Sequence, residues 1–142
     1  MTLTPGPGNT EVIRELSIQG SITESNIRQA WFEIGRKLVN DARRFIRTGP
    51  KTGRLYRIKG RKRLHRASRV GESPANLTGT LARSINFKIR GWRTMEFGAA
   101  TPYARRLESD EPDGLDRPYL IRAIDANDDL VTEAFERRML SR

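Results

Sequence analysis

The chain of 142 residues contains no cysteine, which excludes disulfides and thiolate metal sites and fits a reducing cytoplasm or an assembly built there. Histidine is almost as scarce: His65 stands alone among cations. Without a cysteine or a nucleophile-elbow pattern, that imidazole has no partners for a Ser-His-Asp or Cys-His arrangement and reads as a solvated or contact residue. Long apolar runs are missing, since nothing approaches the ~20 residues of a membrane span. The start, "MTLTPGPGNTE", has neither a basic n-region nor an apolar h-region, so a soluble chain without a conventional export signal is expected. "PGPG" lacks the Gly-Lys-Ser/Thr ending of a phosphate loop and reads as a leader. Glu111, Asp113 and Gly114 stand at offsets suggestive of a calcium loop, but the first ligand would be Ser109 and the closing one Leu120. "NLT" at 76–78 is a formal glycosylation sequon with no secretory route behind it. These absences predict a non-enzymatic protein with no metal and no cofactor.

What is abundant is positive charge. The formal net charge is +10, from 27 Lys+Arg against 17 Asp+Glu. Residues 51–70 hold Lys51, Arg54, Arg57, Lys59, Arg61, Lys62, Arg63, Arg66 and Arg69 and no acid, whereas 108–116 hold Glu108, Asp110, Glu111, Asp113 and Asp116 and no base. Segments of opposite sign on one chain can join two copies, or two partners, through complementary patches. The basic stretch has three readings: a solvated surface arm, a protein-contact arm, or a nucleic-acid clamp on which Tyr56 stacks a base. No helix-turn-helix or aromatic RNA platform accompanies it.

Periodicity gives the architecture. Residues 1–20 read as a Pro/Gly-rich leader with a short strand at 12–18, and 21–142 as a single domain of a length that buries roughly 70% of its unfolded surface. Ile27, Ala30, Trp31, Ile34, Leu38, Ala42 and Phe45 recur at helical spacing, with Ser21 or Thr23 as cap and Gly49-Pro50 as stop, predicting an amphipathic helix over 23–48. Gly35 on its apolar side either permits close approach of a strand or is tolerated there. An arm over 50–77 follows, an extended hairpin turning at Lys59-Gly60-Arg61 that protrudes because it has too little apolar surface for its own core. Thr78 or Thr80 opens a short helical turn carrying Leu81. A hairpin follows, with Ile85, Phe87 and Ile89 facing inward, a turn at Gly91-Trp92-Arg93, and Met95 and Phe97 inward. "TPYARRLE" predicts a short helix with Pro102 at its first position and Tyr103 and Leu107 inward. Leu120, Ala123, Ile124, Val131, Ala134 and Phe135 predict a last helix over 118–139, weakened in its middle by Asn127-Asp128-Asp129. The fold class is α+β: a small antiparallel sheet with two long amphipathic helices on one face and a protruding basic arm.

Five stretches in order, "TGRLYR", "HRASRVGESPAN", "TGTLARSI", "TPYARRLE" and "RPYLIRAID", resemble a family of minor tail components of long-tailed bacteriophages, the tail-completion, neck or head-tail joining proteins. The resemblance spans about residues 20–140. Thr78, Gly79, Leu81 and Ser84 match the family's Thr-Gly-x-Leu-x-x-Ser turn. Tyr103, Ala104 and Glu108 match its Tyr-Ala-x-x-x-Glu helix, and Arg117, Pro118, Tyr119 and Ala123 match the Arg-Pro-aromatic approach to the last helix. Ser109-Asp110 stands where the family often has Phe-Gly, and Val70-Gly71 where it has Pro-Gly. The resemblance implies a homo-oligomeric ring subunit, six-fold, a tail terminator or adjacent completion ring at the top of the tail of a phage, prophage or domesticated phage-like particle. Its implied partners are the connector or stopper and the tail tube, with DNA passing through the ring and no membrane. It would be made in the bacterial cytoplasm and end in the virion. A small basic nucleic-acid-binding protein is the alternative.

Overall fold

A computed structural model describes residues 2–3, 24–110, 112 and 114–140. The expected strand at 12–18, the caps Ser21 and Thr23, and the loop residues Glu111 and Asp113 lie outside the described residues. The chain is mixed helix and sheet. Its elements are β1 (Thr2–Leu3), α1 (Glu24–Thr48), β2 (Leu55–Arg57), β3 (Leu64–Arg66), α2 (Thr80–Ser84), β4 (Ile85–Arg90), β5 (Thr94–Ala99), α3 (Ala104–Glu108), α4 (Leu120–Asp125) and α5 (Leu130–Leu140). The main sheet is antiparallel in the order β1-β5-β4, and β2 and β3 form a separate antiparallel pair. None of the described helices is long and apolar enough to cross a membrane.

Helix α1 organises the body. Its 25 residues make ~7 turns, and Ile27, Ala30, Trp31, Ile34, Leu38, Ala42 and Ile46 are buried along one side. Trp31 meets Phe135 of α5 edge to face at 5.1 Å between ring centroids, and its indole N–H donates to the Trp92 carbonyl at 2.9 Å in the β4–β5 turn. The same side chain thus fastens α1 to both neighbouring layers. The two possibilities at Gly35 resolve in favour of close approach. A Cβ there would lie 2.4 Å from the Phe87 ring of β4, so only glycine lets this helix rest on that strand. In β4 and β5, Phe87 stands opposite Phe97 and Ile89 opposite Met95. Met95 and Phe97 are fully buried; Phe87 is only half-buried, and its ring meets the exposed Phe32 at 5.6 Å.

Several expectations need correction. The leader is not wholly outside the fold, because Thr2 and Leu3 pair with Glu96 and Met95 of β5, whose outer edge would otherwise leave backbone groups unpaired. The last helix is not continuous over 118–139, and so two long helices on one face become one long helix and two shorter ones. The break comes from Asn127. Its side-chain amide donates to the Asp41 carboxylate at 2.7 Å and to the Ala123 carbonyl at 2.8 Å, holding the chain in turns between α4 and α5. Asp41 is the buried acid of α1. Burial would raise its pKa, but hydrogen bonds from Lys37 and Asn127 and the charges of Lys37 and Arg44 outweigh that and hold it lower. The expected start at Arg117-Pro118 also shifts: Tyr119 is the N-cap and Leu120 the first helical residue. Tyr103, expected inward, is 46% exposed, because α3 begins at Ala104, which its short turn buries in its place.

Candidate functional site

The basic segment forms the expected hairpin. Leu55 pairs with Arg66, Tyr56 with His65 and Arg57 with Leu64, and Arg61 N–H closes the turn on Ile58 at 3.0 Å across Gly60. The Tyr56 and His65 rings meet edge to face at 5.3 Å. The arm does not extend freely from the body. Near its tip, the Arg61 guanidinium donates to the Leu77 carbonyl at 3.1 Å, so the hairpin leans over the loop that follows it. The exposed guanidinium and ammonium groups of Arg54, Arg57, Lys59, Lys62, Arg63 and Arg69 line its surface.

A polar clamp sets the arm's base. One carboxylate, Glu72, accepts the Thr52 hydroxyl at 2.5 Å and the backbone N–H groups of Thr52 and Arg69 at 2.9 Å. Those bonds, led by the Thr52 hydroxyl, bring its pKa from the ordinary 4.5 down to about 2. Lys51 is shifted downward by burial, the nearby Glu72 charge opposing, and its ammonium donates to the Phe45 carbonyl at the end of α1. A second set of bonds joins this loop to the approach to α4. Arg117 donates to the Ser68 carbonyl, Arg122 to the Gly71 carbonyl, the Ser73 hydroxyl to the Pro118 carbonyl, and Gly71 N–H to the Asp116 carbonyl. The stretch "SRVGES" is therefore the hinge plate between arm and body.

Between the arm, this plate and α3 lies a groove of about 470 Å³, lined by Tyr56, His65, Leu77, Thr78, Tyr103 and Arg117 among others. Thr78-Gly79 opens α2 here. Gly79 has φ +77°, a left-handed conformation that L side chains rarely adopt, and a Cβ would meet the Arg83 guanidinium at 2.8 Å. Leu81 and Leu107 close the floor. Residues singled out in four separate stretches of the sequence thus border one groove.

The other singled-out residues fall elsewhere. Ala104 is buried, and Ser84 donates to the Leu81 carbonyl within α2. Tyr119 is fully buried, and burial raises its hydroxyl pKa, helped by the Glu108 charge. Glu108 is no part of a free acidic patch. Its carboxylate accepts the N–H groups of Tyr119, Leu120 and Ile121 at 3.1, 3.2 and 2.7 Å, capping α4 from a helix eleven or more residues earlier. The loop beyond it is pinched shut by Leu115 N–H to the Arg106 carbonyl, Asp116 N–H to Ser109 and Arg117 N–H to Leu107, which leaves Asp110 exposed beyond the pinch. A larger group of acids without salt bridges among the described residues is further on, at Asp125, Asp128, Asp129, Glu133 and Glu136, all exposed. The sequence carried that signal, since 123–136 contain no cation, but all five acids sit in the predicted helix, where only Asp128 and Asp129 registered, as helix weakeners.

No protein-family model, curated protein or solved structure matches this chain.

Proposed function

We propose that the chain is a structural, non-enzymatic virion protein that forms a ring, six-fold, at the junction of head and tail, joining the tail tube to the connector. The observation that carries this reading is the convergence around one groove of residues from the stretches resembling tail-completion proteins: Tyr56 and His65 of the arm, Thr78, Gly79 and Leu81 of the turn, Tyr103 before α3 and Arg117 before α4. A compact body with a separate, polar-hinged arm suits a ring subunit, because a head-to-tail ring joins two different surfaces of the same chain. The body supplies the wall, and the arm reaches a neighbour.

The test is genetic and morphological. Cells lacking the chain should accumulate filled heads and unattached tails, and complete particles should contain the chain at a ring's copy number. Portal, capsid and tail-tube genes should flank its own. Infectious particles of normal shape made without it would remove it from the junction.

A second reading has one specific support: the exposed arm cations make no ion pair among the described residues, and Tyr56 beside them is 39% exposed. That surface suits a phosphate backbone with a stacked base. Binding to duplex DNA that persists at physiological salt, with a slope that flattens when Arg57 and Arg63 become Glu, would favour it. Affinity at low salt alone is expected of any chain with charge +10.

A further inference from the structure

Six acids of the described chain are engaged. Glu24, Glu33, Asp41 and Glu96 hold arginine or lysine side chains, and Glu72 and Glu108 accept backbone N–H groups. Outside the 108–116 loop, the described acids left over are all on the α4–α5 surface. Asp125, Asp128, Asp129, Glu133 and Glu136 are exposed and form no salt bridge among the described residues. Asp129, Glu133 and Glu136 follow at spacings of four and three, which sets them on one helical face where like charges repel. Asp129 and Glu133 gain from the N-terminal end of α5, but Glu136 lies past its first turn and has no such compensation. Exposed apolar side chains flank this face, Ile121 at 41% and Leu140 at 65%.

The arm is the counterpart. From Arg54 to Arg69 it carries cations and no acid, and none of them forms a salt bridge among the described residues. Beneath it lies the groove with Tyr56, Leu77 and Tyr103 exposed on its walls, each at least 39%. A surface that is basic at the rim and apolar in the groove fits a helical face that is acidic along its length and apolar at its ends.

We infer that the arm and groove of one copy receive the α4–α5 face of a second copy, head to tail. The inference rests on the ring-subunit reading and names that ring's subunit contact and its polarity. Because the two surfaces differ, a pair keeps one of each free, an arm on one copy and an acidic face on the other, so the contact propagates until it closes.

The experiment uses the full chain in sedimentation velocity over a concentration series, at low and high salt. Wild type should form species larger than a dimer that weaken as salt rises. One variant carries Arg57→Glu, Lys62→Glu and Arg63→Glu, whose side chains form no ion pair among the described residues; another carries Asp125→Lys, Asp129→Lys and Glu133→Lys. Each alone should associate about tenfold or more weakly. Mixed in equal amounts they should assemble again, because each reversed arm then meets a reversed helical face, and a chain carrying all six changes should assemble by itself. Circular dichroism confirms folding, and Asp125→Asn with Glu133→Gln replaces the lysine variant if that one unfolds. A monomeric wild type, a dimer and nothing larger, or folded variants that stay apart on mixing would overturn the contact. So would an arm variant that loses only DNA binding while the acidic-face variant assembles normally. Particle morphology is scored separately: restored assembly in a chain that particles do not contain sinks the virion reading and leaves the contact standing. Detached tails with failed complementation do the reverse.

Discussion

Along α1 the buried positions are apolar apart from Asp41 and Gly35, whereas between residues 51 and 73 the buried residues are Ser68 and Ser73. The body is held by interlocked rings and aliphatic side chains, a non-directional force that resists any change of shape. The arm's base is held by hydrogen bonds, three accepted by Glu72 and one each donated by Arg117 and Arg122, which depend on direction as packing does not. Packing therefore fixes the shape of the body, and a few polar contacts fix where the arm points.

The sharpest way to break the comparison is in the body. Trp31→Ala removes a fully buried indole that touches α5 and bonds the β4–β5 turn, and should cost ~3–5 kcal/mol in denaturant unfolding. Gly35→Ala should cost ~1–3 kcal/mol, because its methyl would collide with the Phe87 ring. In a Phe87→Ala background the same change should turn favourable, as the ring is gone and alanine is the better helix former by ~1 kcal/mol. Additive costs in that cycle would mean that Gly35 is not where the strand is seated.

Next in size is the cap of α4, the helix to which the arm's base is bonded through Arg122. Glu108→Ala leaves three N–H groups of the first turn of α4 without their acceptor and should cost ~1–2 kcal/mol. Glu108→Gln retains one acceptor oxygen but loses the charge, and should fall between wild type and Ala. Equal stability of all three chains would show that the approach to α4 is held by Arg117 and Ser73 instead.

The body was legible because its signals are periodic. The apolar spacing from Ile27 to Ala42 leads to α1, and the alternation from Ile85 to Phe97 to the β4–β5 hairpin. What periodicity cannot carry is a bond between residues far apart in sequence. Asn127-Asp128-Asp129 marks the weak point of the last helix, and the chain does break there, but the bond from Asn127 to Asp41, eighty-six positions earlier, is one that no local pattern announces. Glu108 looked like one of five loop acids for the same reason, since the N–H groups it caps are met only after folding. Sequence reading brought Thr78, Tyr103 and Arg117 forward as separate motif positions, and their common groove is a fact of tertiary structure.

A smaller effect, confined to the arm, follows from Glu72. Its folded pKa of about 2 lies below the ordinary 4.5, so its contribution is fully present above about pH 4.5 and is lost as pH falls through about 2. The backbone amide protons of Thr52 and Arg69, which it accepts, should therefore shift together in an NMR titration with a midpoint near 2, while the Trp31 indole proton on the Trp92 carbonyl stays in place over the same range. Glu72→Gln should abolish the titration and leave the body's unfolding midpoint nearly unchanged. A midpoint at the ordinary carboxylate value would mean that the clamp is open in solution.

The smallest effect expected concerns the arm's surface, and it tests whether arm and body are as separate as their bonding suggests. Arg57, Lys62 and Arg63 are exposed and make no ion pair among the described residues, so replacing all three with Ala removes no contact that holds the chain folded. Relief of repulsion among neighbouring cations acts in the opposite direction to any loss of aliphatic packing along the hairpin, and exposed substitutions of this kind change stability by about 0.5 kcal/mol or less. Arg61 is the control, since its guanidinium reaches the Leu77 carbonyl near the arm's tip. Arg61→Ala should loosen the arm over the groove, seen as faster amide exchange in 55–66, again without moving the unfolding midpoint. A triple alanine chain destabilised as much as Trp31→Ala would show that the arm is part of the core and that the division drawn between the two regions is wrong.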